Sequence, residues 1–490
     1  MEHLITGLLT PLPKPGKKKG PPANLRPIIL LSILRKLITI CMLNRIWDRL
    51  ETQIPKEQAA YQGGRSTTEP VLALKLLTEK AILDSDYNIY ITLLDMSKAF
   101  DTVNRELLFQ NLENILQEDE LHILSIICNN PEIKIKLENK IGKKFTTYHG
   151  IMQGDCLSAV LFIYYLACAL KEEQETTENK DHNYCKKEEK DMQINPKYAD
   201  DITYITTSKE SHQNIERITS ERLSKYNLMV NDTKTETYQV PEEKKEKPPP
   251  EPVMNEDDGR KNLWSALDWV LPEPIPPEPP PKWKECKLLG SKLGTENDIA
   301  NRKGLTIGAM TKFRRIFKTK LISTAIKIRV FLCFICSIFL YNSELWSLTK
   351  TQEKQIDAFH RKQMRYALGI YYPKTISNQK LYQITKTEPW SISIKRRRLN
   401  FAGHLMRLDE NAPAKQALYE VIKPTKRKPG RPKQSWIQTI RRDLDSQLNT
   451  TKESDQTFFE VLHAAAVDRT EWRNTVKASV EEELRGGRLN

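Results

Sequence analysis

Two short segments carry carboxylates in an arrangement that suits metal-dependent chemistry. Residues 88–101 read NIYITLLDMSKAFD, and their β-branched and aromatic residues predict a strand that ends at Asp95. Residues 198–205 read YADDITYI and predict a hairpin with Asp200 and Asp201 at or beside its turn. Adjacent carboxylates repel each other, so a turn that carries two of them favours a cation. Mg²⁺ prefers a few carboxylates together with substrate phosphates.

Three acids from two neighbouring strands can hold two Mg²⁺ or Mn²⁺ ions about 4 Å apart. One ion would activate a primer 3′-hydroxyl, and the other would bind a nucleoside triphosphate and stabilise the leaving pyrophosphate. An Asp-Asp pair in a turn is common in proteins of every kind. The order and context of the surrounding motifs therefore decide whether these acids are catalytic.

The charge of the chain favours a polyanionic partner. Lys and Arg number 77 against 63 Asp and Glu, which gives a formal net charge of +14. Nucleic acid is the commonest partner of such a basic protein. A basic protein of unrelated function is the alternative that charge alone leaves open.

The eight cysteines and the apolar runs indicate an intracellular protein. No cysteine spacing predicts a disulfide framework, so a reducing compartment fits. Cys333 and Cys336 form a CxxC, but they lie in an apolar run and are predicted to be helix-core residues, not zinc ligands. No run reaches the ~20 apolar residues of a membrane helix, and the N-terminus has the wrong order for a secretory signal. We expect the nucleus and cytoplasm, as a ribonucleoprotein.

Two polar stretches interrupt the chain. Residues 241–283 are proline-rich and predict an extended surface insertion, with one short helix at 261–271. A partner that binds proline motifs is the alternative to a plain linker. Residues 171–190 are dense in Glu, Lys and Asn and predict an exposed loop. Elsewhere strands and helices alternate irregularly, which favours the α+β class.

Several segments resemble, in order, the motifs of reverse transcriptases, and of the non-LTR retrotransposon family in particular. LLDMSKAFDTVNR and YADD are similar to the two catalytic motifs, and HGIMQGDCLSAVLF at 149–162 lies between them. The remaining segments with such a resemblance are NLRPIILLSILRK at 24–36, YQGGRSTTE at 61–69, NLMVNDTKTE at 227–236 and the primer-grip-like KLLGSKLG at 287–294. The sequence departs from the family pattern at Cys156, Asn227 and Gly64, and none of these positions carries a charge that the chemistry needs.

The resemblance implies a right-hand polymerase of the α+β class, with fingers, palm and thumb followed by a helical basic C-terminal region. Residues 1–88 would form the fingers, and 89–298 the palm with finger segments and the proline-rich insertion. Residues 299–370 would form a helical thumb, with helices predicted at 312–340 and 351–368. Residues 371–490 would form the basic nucleic-acid-binding region. Full-length relatives carry an endonuclease upstream of the fingers. Because the fingers-like segments begin close to Met1 here, we expect no endonuclease and an incomplete fingers domain.

The resemblance also implies roles at the active site. Asp95, Asp200 and Asp201 would be the catalytic metal ligands. Phe100 would stack under the sugar and exclude a 2′-hydroxyl, although a Phe that only packs a helix onto the sheet is the alternative. A helix is predicted to start at 97–103, and a buried one at 158–170.

Further residues would contact the incoming nucleotide. Gln153 and Gly154 would lie against it, because an amide can bond sugar or base and a glycine lets backbone approach closely. Lys14 and Arg26 resemble the residues that clamp the triphosphate. Lys234 resembles a lysine that protonates pyrophosphate, with a plain surface lysine as the alternative.

The C-terminal third carries a basic motif. Arg427, Lys428, Arg431 and Lys433 surround a Gly-Arg-Pro that resembles a minor-groove hook. A phosphate-binding patch or a nuclear-import signal explains the same residues. His404 has no Cys or His at ligand spacing, so we interpret it as structural.

Three functions compete at this point. The resemblance favours an RNA-directed DNA polymerase that uses an RNA template, a DNA primer and dNTPs. An inactive or domesticated fragment that only binds nucleic acid is the alternative from another class. A palm polymerase that makes RNA is disfavoured by Phe100.

Overall fold

The structure is a computed structural model, and it describes most of the chain. The described residues are 6–14, 18, 20–129, 131–137, 140–180, 192–242, 282–423, 426, 434–448 and 454–485, with only the backbone for 23 and 172–180. The helix predicted at 261–271 and the basic residues Arg427, Lys428, Arg431 and Lys433 lie outside them.

The first part of the chain pairs two strands and then forms two long helices. In order these are β1 (Gly7–Pro13), β2 (Leu25–Leu30), α1 (Ile33–Glu51) and α2 (Thr68–Leu83). The Ser32 hydroxyl accepts the backbone N–H of Arg35, so a serine cap starts α1. Helix α2 is buried on nearly every face, which its long apolar run dictates.

The middle part contains the strands and helices that carry the catalytic-type motifs. In chain order these are β3 (Ile89–Leu94), β4 (Met96–Ser97), α3 (Ala99–Thr102), α4 (Arg105–Glu113), α5 (Glu118–Cys128), β5 (Glu132–Leu137), β6 (Lys140–Thr146), α6 (Cys156–Lys180), β7 (Gln193–Ile194), β8 (Lys197–Tyr198), β9 (Asp201–Thr206), α7 (Lys209–Lys225), β10 (Met229–Val230) and β11 (Glu236–Val240).

Two sheets organise these strands. The amino-terminal sheet has the order β2-β1-β5-β6, and the central sheet has the order β11-β3-β9-β7 with β8 paired to β9. Strands β3 and β9 are antiparallel neighbours, with Leu94 opposite Ile202. A separate two-stranded ladder joins β10 to β4. Helices α1, α4 and α6 pack with the central sheet into one apolar core.

The rest of the chain is mostly helical. It contains the hairpin β12 (Lys287–Leu288) and β13 (Ser291–Lys292), then α8 (Thr295–Lys312), α9 (Arg314–Lys318), α10 (Thr324–Val330), a π-helical turn (Phe331–Cys336), α11 (Ser337–Phe339), α12 (Lys350–Leu368), α13 (Asn378–Thr385), α14 (Trp390–Met406), α15 (Pro413–Ile422), α16 (Trp436–Leu448), α17 (Asp455–Val467) and α18 (Arg469–Arg485). The mixture of helices and sheets confirms the α+β class.

Helices α14 to α18 share a core with the central sheet. Their apolar residues form one cluster with the buried face of α2, with β3 and β9, and with the β12–β13 hairpin. Arg398 on α14 is 1% exposed, and its guanidinium bonds the Asp443 carboxylate at 2.9 Å and the Trp346 carbonyl at 2.7 Å. The predicted C-terminal region is helical, and much of its surface is buried against the preceding parts of the chain.

Several local predictions were wrong. The loop predicted at 171–190 is helical up to Lys180, because α6 continues beyond its buried part, and 181–191 lie outside the described residues. The helix predicted from 97 is shorter and starts at Ala99, since Met96–Ser97 pair with β10. The helix predicted over 312–340 is broken after Lys318, where Leu321 is 96% exposed and Ser323 caps a new helix. Cys336 is buried as predicted, but Cys333 is exposed.

No helix in the described part of the chain is both long enough and apolar enough to cross a membrane.

Candidate active site

Asp95, Asp200 and Asp201 lie at the adjoining ends of two neighbouring strands. Asp95 directly follows β3, and Asp201 begins β9 one residue before the last pair, Leu94 with Ile202. Asp200 occupies the turn between β8 and β9, as the sequence predicted. The Asp95 carbonyl accepts the N–H of Asn231 at 2.8 Å, which ties the strand end to the segment after β10.

The three carboxylates influence one another electrostatically. Desolvation raises the pKa of Asp201 to about 6, and the charges of Asp200 and Asp95 add to that rise. Desolvation and the Asp95 charge also raise the pKa of Asp200. Lys234 Nζ lies 2.7 Å from the Asp95 carboxylate and forms an ion pair with it. The group therefore carries more negative charge than its neighbours compensate.

This donor set fits a divalent cation. All three side chains offer hard oxygen ligands. Burial is the main cause of the raised pKa values of Asp200 and Asp201, and the charge of neighbouring carboxylates adds to it. Across the described residues, however, no three Asp, Glu, His or Cys side chains are grouped closely enough to enclose one ion. The structure thus brings the three predicted ligands to the adjoining ends of β3 and β9, but their side chains do not form a complete metal-binding site among the described residues.

A cavity of about 700 Å³ opens beside Asp200. The residues that line it come from α1, the segment between α1 and α2, α3, α6, the 153–155 loop and the β8–β9 turn: Leu43, Tyr61, Phe100, Gln153, Gly154, Asp155, Cys156, Ala159, Val160 and Asp200. The predicted substrate residues Phe100, Gln153 and Gly154 are among them. A cleft of this volume is large enough for a nucleotide.

Phe100 packs against a neighbouring helix and also lines the cavity. Its ring stacks on Phe162 of α6, with centroids 4.5 Å apart and planes 21° apart. The same side chain is half-buried and lines the cavity. Phe100 therefore packs α3 onto α6 and also presents an aromatic surface to the cavity.

The loop of Gln153 and Gly154 lies directly on β2. The Gln153 carbonyl accepts the N–H of Ile29 at 2.9 Å. Gly154 has φ of +122°, and a Cβ there would come within 2.4 Å of the Ile29 carbonyl oxygen, so only glycine fits. The loop ends at Asp155, whose buried carboxylate bonds Arg35 Nε at 3.3 Å and the N–H of Leu157 at 3.2 Å.

The predicted triphosphate clamp lies away from this cavity. Lys14 follows β1 and its backbone N–H bonds the Asn24 carbonyl, while Arg26 on β2 is exposed opposite Leu12. Neither is among the described residues that line the cavity. Their role as a triphosphate clamp stays a prediction.

One departure from the family pattern, Asn227, is accommodated by the backbone. Asn227 has φ of 55°, and asparagine tolerates this left-handed conformation better than most residues, which explains how it replaces a common glycine. Its amide also donates to the Thr102 carbonyl at 2.9 Å. His404 bonds the Glu69 carboxylate at 3.0 Å, in keeping with the structural interpretation.

Sequence reasoning did not single out Tyr61 or the Arg35–Asp155 pair. Tyr61 lines the cavity with φ of 58°, a rare conformation for a bulky residue. Desolvation raises its pKa, and the negative charge of Asp200 adds to the rise. The YQGGRSTTE motif, which begins at Tyr61, was the only sign in the sequence that this residue lies near the site. For the Arg35–Asp155 pair the sequence marked only the QGD segment that contains Asp155, because the two residues are 120 positions apart.

Comparisons with known proteins agree with these motifs. The model of the family described as reverse transcriptase (RNA-dependent DNA polymerase) matches residues 12–293. The probable RNA-directed DNA polymerase from transposon X-element of Drosophila melanogaster is 26% identical over 163 residues, covering 32% of this chain and 18% of that protein. The chain thus spans less than a fifth of this curated relative.

Among solved structures, similar chains include telomerase from Candida tropicalis. The complex with a TWJ fragment of telomeric RNA has 12% identity and a TM-score of 0.40, covering 85% of this chain and 64% of that one. The apo enzyme has 12% identity and a TM-score of 0.39, covering 94% and 69%. The family match and the X-element relative confirm the predicted resemblance to non-LTR retrotransposon enzymes. This chain belongs to the reverse transcriptase (RNA-dependent DNA polymerase) family.

Proposed function

We propose that this chain is an RNA-directed DNA polymerase of a non-LTR retrotransposon, which extends a primer 3′-hydroxyl with dNTPs. The observation that carries the proposal is the position of Asp200 beside a 700 Å³ cavity that Phe100 and Gly154 also line. Asp95 lies at the neighbouring strand end. All of these residues fall within the stretch that matches the family.

Asp95, Asp200 and Asp201 would hold two Mg²⁺ ions, with Mn²⁺ as a substitute. When bound, the ions supply Lewis-acid activation of the 3′-hydroxyl and neutralise charge on the leaving pyrophosphate. The raised pKa of Asp200 and Asp201 supports this role, because a divalent cation relieves the repulsion between the acids. Lys234 at Asp95 keeps a proton donor close to the same carboxylate.

The cavity residues would select and orient the nucleotide. The Phe100 ring would lie against the sugar and leave no room for a 2′-hydroxyl. Gly154 would let the backbone approach the nucleotide, and Gln153 would offer its amide to sugar or base. Lys14 and Arg26, which do not line the cavity, would contact the triphosphate from the amino-terminal sheet.

The remaining assignments follow the same proposal. Residues 1–88 serve as fingers, 89–298 as palm, 299–370 as thumb, and 371–490 as a C-terminal nucleic-acid-binding region. The RNA template and DNA primer would bind to basic residues of the chain, among them Arg427, Lys428, Arg431 and Lys433, which lie outside the described residues. We place the protein in the nucleus and cytoplasm.

Primer extension on an RNA template with dNTPs and Mg²⁺ tests the proposal. Wild-type chain should extend the primer, and Asp200→Asn should lower extension by about 10³-fold or more, since it removes a charged ligand from the transition state. Asp48→Asn is the matched control, because Asp48 is exposed on α1, away from the cavity residues.

Three outcomes would contradict the proposal in different ways. A folded wild-type chain that binds primer–template without extending it is a nucleic-acid-binding protein and not a polymerase. Extension with rNTPs in preference to dNTPs would make it an RNA polymerase. Full extension by Asp200→Asn would place the active site elsewhere.

A further inference from the structure

Ala199 holds an unfavourable backbone conformation directly before Asp200. Its φ is 56°, in the left-handed region that costs an ordinary L-residue roughly 1–2 kcal/mol. The residue is buried in the turn between β8 and β9. Because the direction of the Asp200 side chain depends on this turn, neighbouring structure must hold it in place.

One side chain bonds both backbone polar groups of Ala199. The Gln58 side-chain oxygen accepts the Ala199 N–H at 2.8 Å, and the Gln58 amide nitrogen donates to the Ala199 carbonyl at 3.2 Å. Gln58 is 2% exposed, so water does not replace these bonds easily. A primary amide carries both a donor and an acceptor, so one glutamine side chain can bond both polar groups of the same residue.

The backbone around Gln58 is fixed to the same hairpin. The Lys197 N–H donates to the Glu57 carbonyl at 2.9 Å, and the Ala59 N–H donates to the Lys197 carbonyl at 2.9 Å. The Gln58 oxygen also accepts the Ala60 N–H at 3.0 Å. The backbone on both sides of Gln58 is thus bonded to strand β8, and this fixes the position from which the Gln58 side chain bonds the turn.

The same bonds connect two segments that line the cavity. Ala60 precedes Tyr61, which has a left-handed backbone conformation and lines the cavity together with Asp200. One buried amide therefore supports the residue before Tyr61 and the residue before Asp200. Loss of that amide would free both turns at once.

We propose that Gln58 is a positioning residue that holds the Ala199 turn and so orients Asp200 for metal binding and catalysis. The inference rests on the proposed polymerase function for its kinetic consequence, but its effect on metal binding stands apart from that activity. Gln58 itself touches neither substrate nor metal in this proposal.

Gln58→Met tests it, because methionine keeps a similar length and loses both hydrogen-bonding groups. We expect kcat for primer extension to fall about 10–100-fold, the usual effect of removing a residue that orients a metal ligand. The KM for primer–template should stay within about two-fold, since that surface is unchanged. Gln53→Met, at an exposed glutamine just after α1, is the matched control.

A second measurement does not depend on activity. Free Mn²⁺ is followed by electron paramagnetic resonance as it is titrated into wild-type chain, Gln58→Met and Asp200→Asn. Gln58→Met should weaken Mn²⁺ binding about 10-fold or more, on the scale known for such supporting residues. Gln58→Glu, assayed at a pH at which the glutamate is ionised, keeps the two acceptor bonds to the Ala199 and Ala60 N–H groups and loses only the donor to the Ala199 carbonyl, so this milder variant should lose part of kcat.

The outcomes separate the two proposals. Wild-type kcat and wild-type Mn²⁺ affinity in a folded Gln58→Met or Gln58→Glu chain would overturn the positioning role. Asp200-dependent Mn²⁺ binding that Gln58→Met weakens, in a chain without extension, would keep the positioning role and overturn the polymerase. Absence of both Mn²⁺ binding and extension in the wild type would overturn both.

Discussion

Phe100 both packs against a neighbouring helix and faces the cavity. One part of its ring surface stacks on Phe162, and another part faces the cavity that Asp200 lines. The stack fixes the ring, so its cavity surface has a defined position. A fixed ring excludes an additional hydroxyl better than a mobile one, because the ring cannot move aside.

Phe100→Ala should therefore relax the choice of sugar. We expect the ratio of dNTP to rNTP incorporation to fall roughly 10-fold or more, the scale of one lost contact in a specificity pocket. Steady-state kinetics with each nucleotide measures it. Phe162→Leu is the control, since it loses the stack from a buried position outside the cavity. Equal loss of discrimination in both variants would show that packing alone sets the choice.

At the residue scale, the acids were predictable and their support was not. Asp95, Asp200 and Asp201 stand in short motifs whose strand and turn context is local, and the structure places them at one sheet edge. Their role as metal ligands stays a prediction. Gln58 acts on a residue 141 positions away, and no local pattern signals a contact at that separation.

At the scale of single elements, the helices after β13 contain an unusual buried histidine. His360 on α12 stacks on Trp390, with centroids 4.4 Å apart and planes 8° apart, and also on Phe331. Neither ring nitrogen has a hydrogen-bond partner among the described residues. Burial lowers the pKa of His360 to about 3, so the ring is neutral in the folded chain.

His360→Phe should stabilise the protein against acid. Below pH about 6.5 the unfolded wild type takes up a proton that the folded form refuses, so acidification favours unfolding until about pH 3. Over that window the variant should gain at most about 1.4 kcal/mol of unfolding free energy per pH unit relative to wild type. Urea unfolding at pH 7.5 and 5.0 measures this, with exposed His122→Phe as control. An equal pH dependence in all three proteins would contradict it.

Elements with strong local patterns were predicted well. The strand before Asp95, the 198–205 hairpin and the helix at 351–368 are confirmed as β3, β8–β9 and α12. The prediction of one helix over 312–340 was wrong, because its apolar and basic pattern gives no sign of the break after Lys318. The Ser323 hydroxyl caps the next helix, α10. The polar tail of α6 was missed because charge density reads equally as loop or as exposed helix.

At the scale of the whole molecule, residues after 370 complete the core. Lys80 Nζ on α2 bonds the Glu420 carbonyl at 2.6 Å, and the Glu79 carboxylate accepts the Trp436 N–H at 2.8 Å. Trp472 packs so closely on Gly403 that a Cβ there would lie 2.1 Å from the indole nitrogen. The sequence predicted a helical basic region here but not the shared core, because basic motifs stand out in a sequence and a shared core does not.

A chain that ends at residue 370 should therefore fail to fold. It would expose the apolar face of α2, which α15 and its neighbours cover. We expect aggregation, or a gradual thermal transition in place of a cooperative one, by calorimetry and light scattering. A chain that ends at Arg485 is the control and should behave as the full chain. A soluble, cooperatively unfolding 1–370 chain would refute the shared core.

The shared core also fixes when the protein can finish folding during synthesis. Helix α2 is complete at Leu83, but apolar partners as late as Val476 belong to the same cluster. At about 5–20 residues per second, the ribosome needs roughly 20–80 s to make the chain between them. Until then the nascent α2 surface lacks part of its apolar cover, so holding chaperones have a long window in which to bind it.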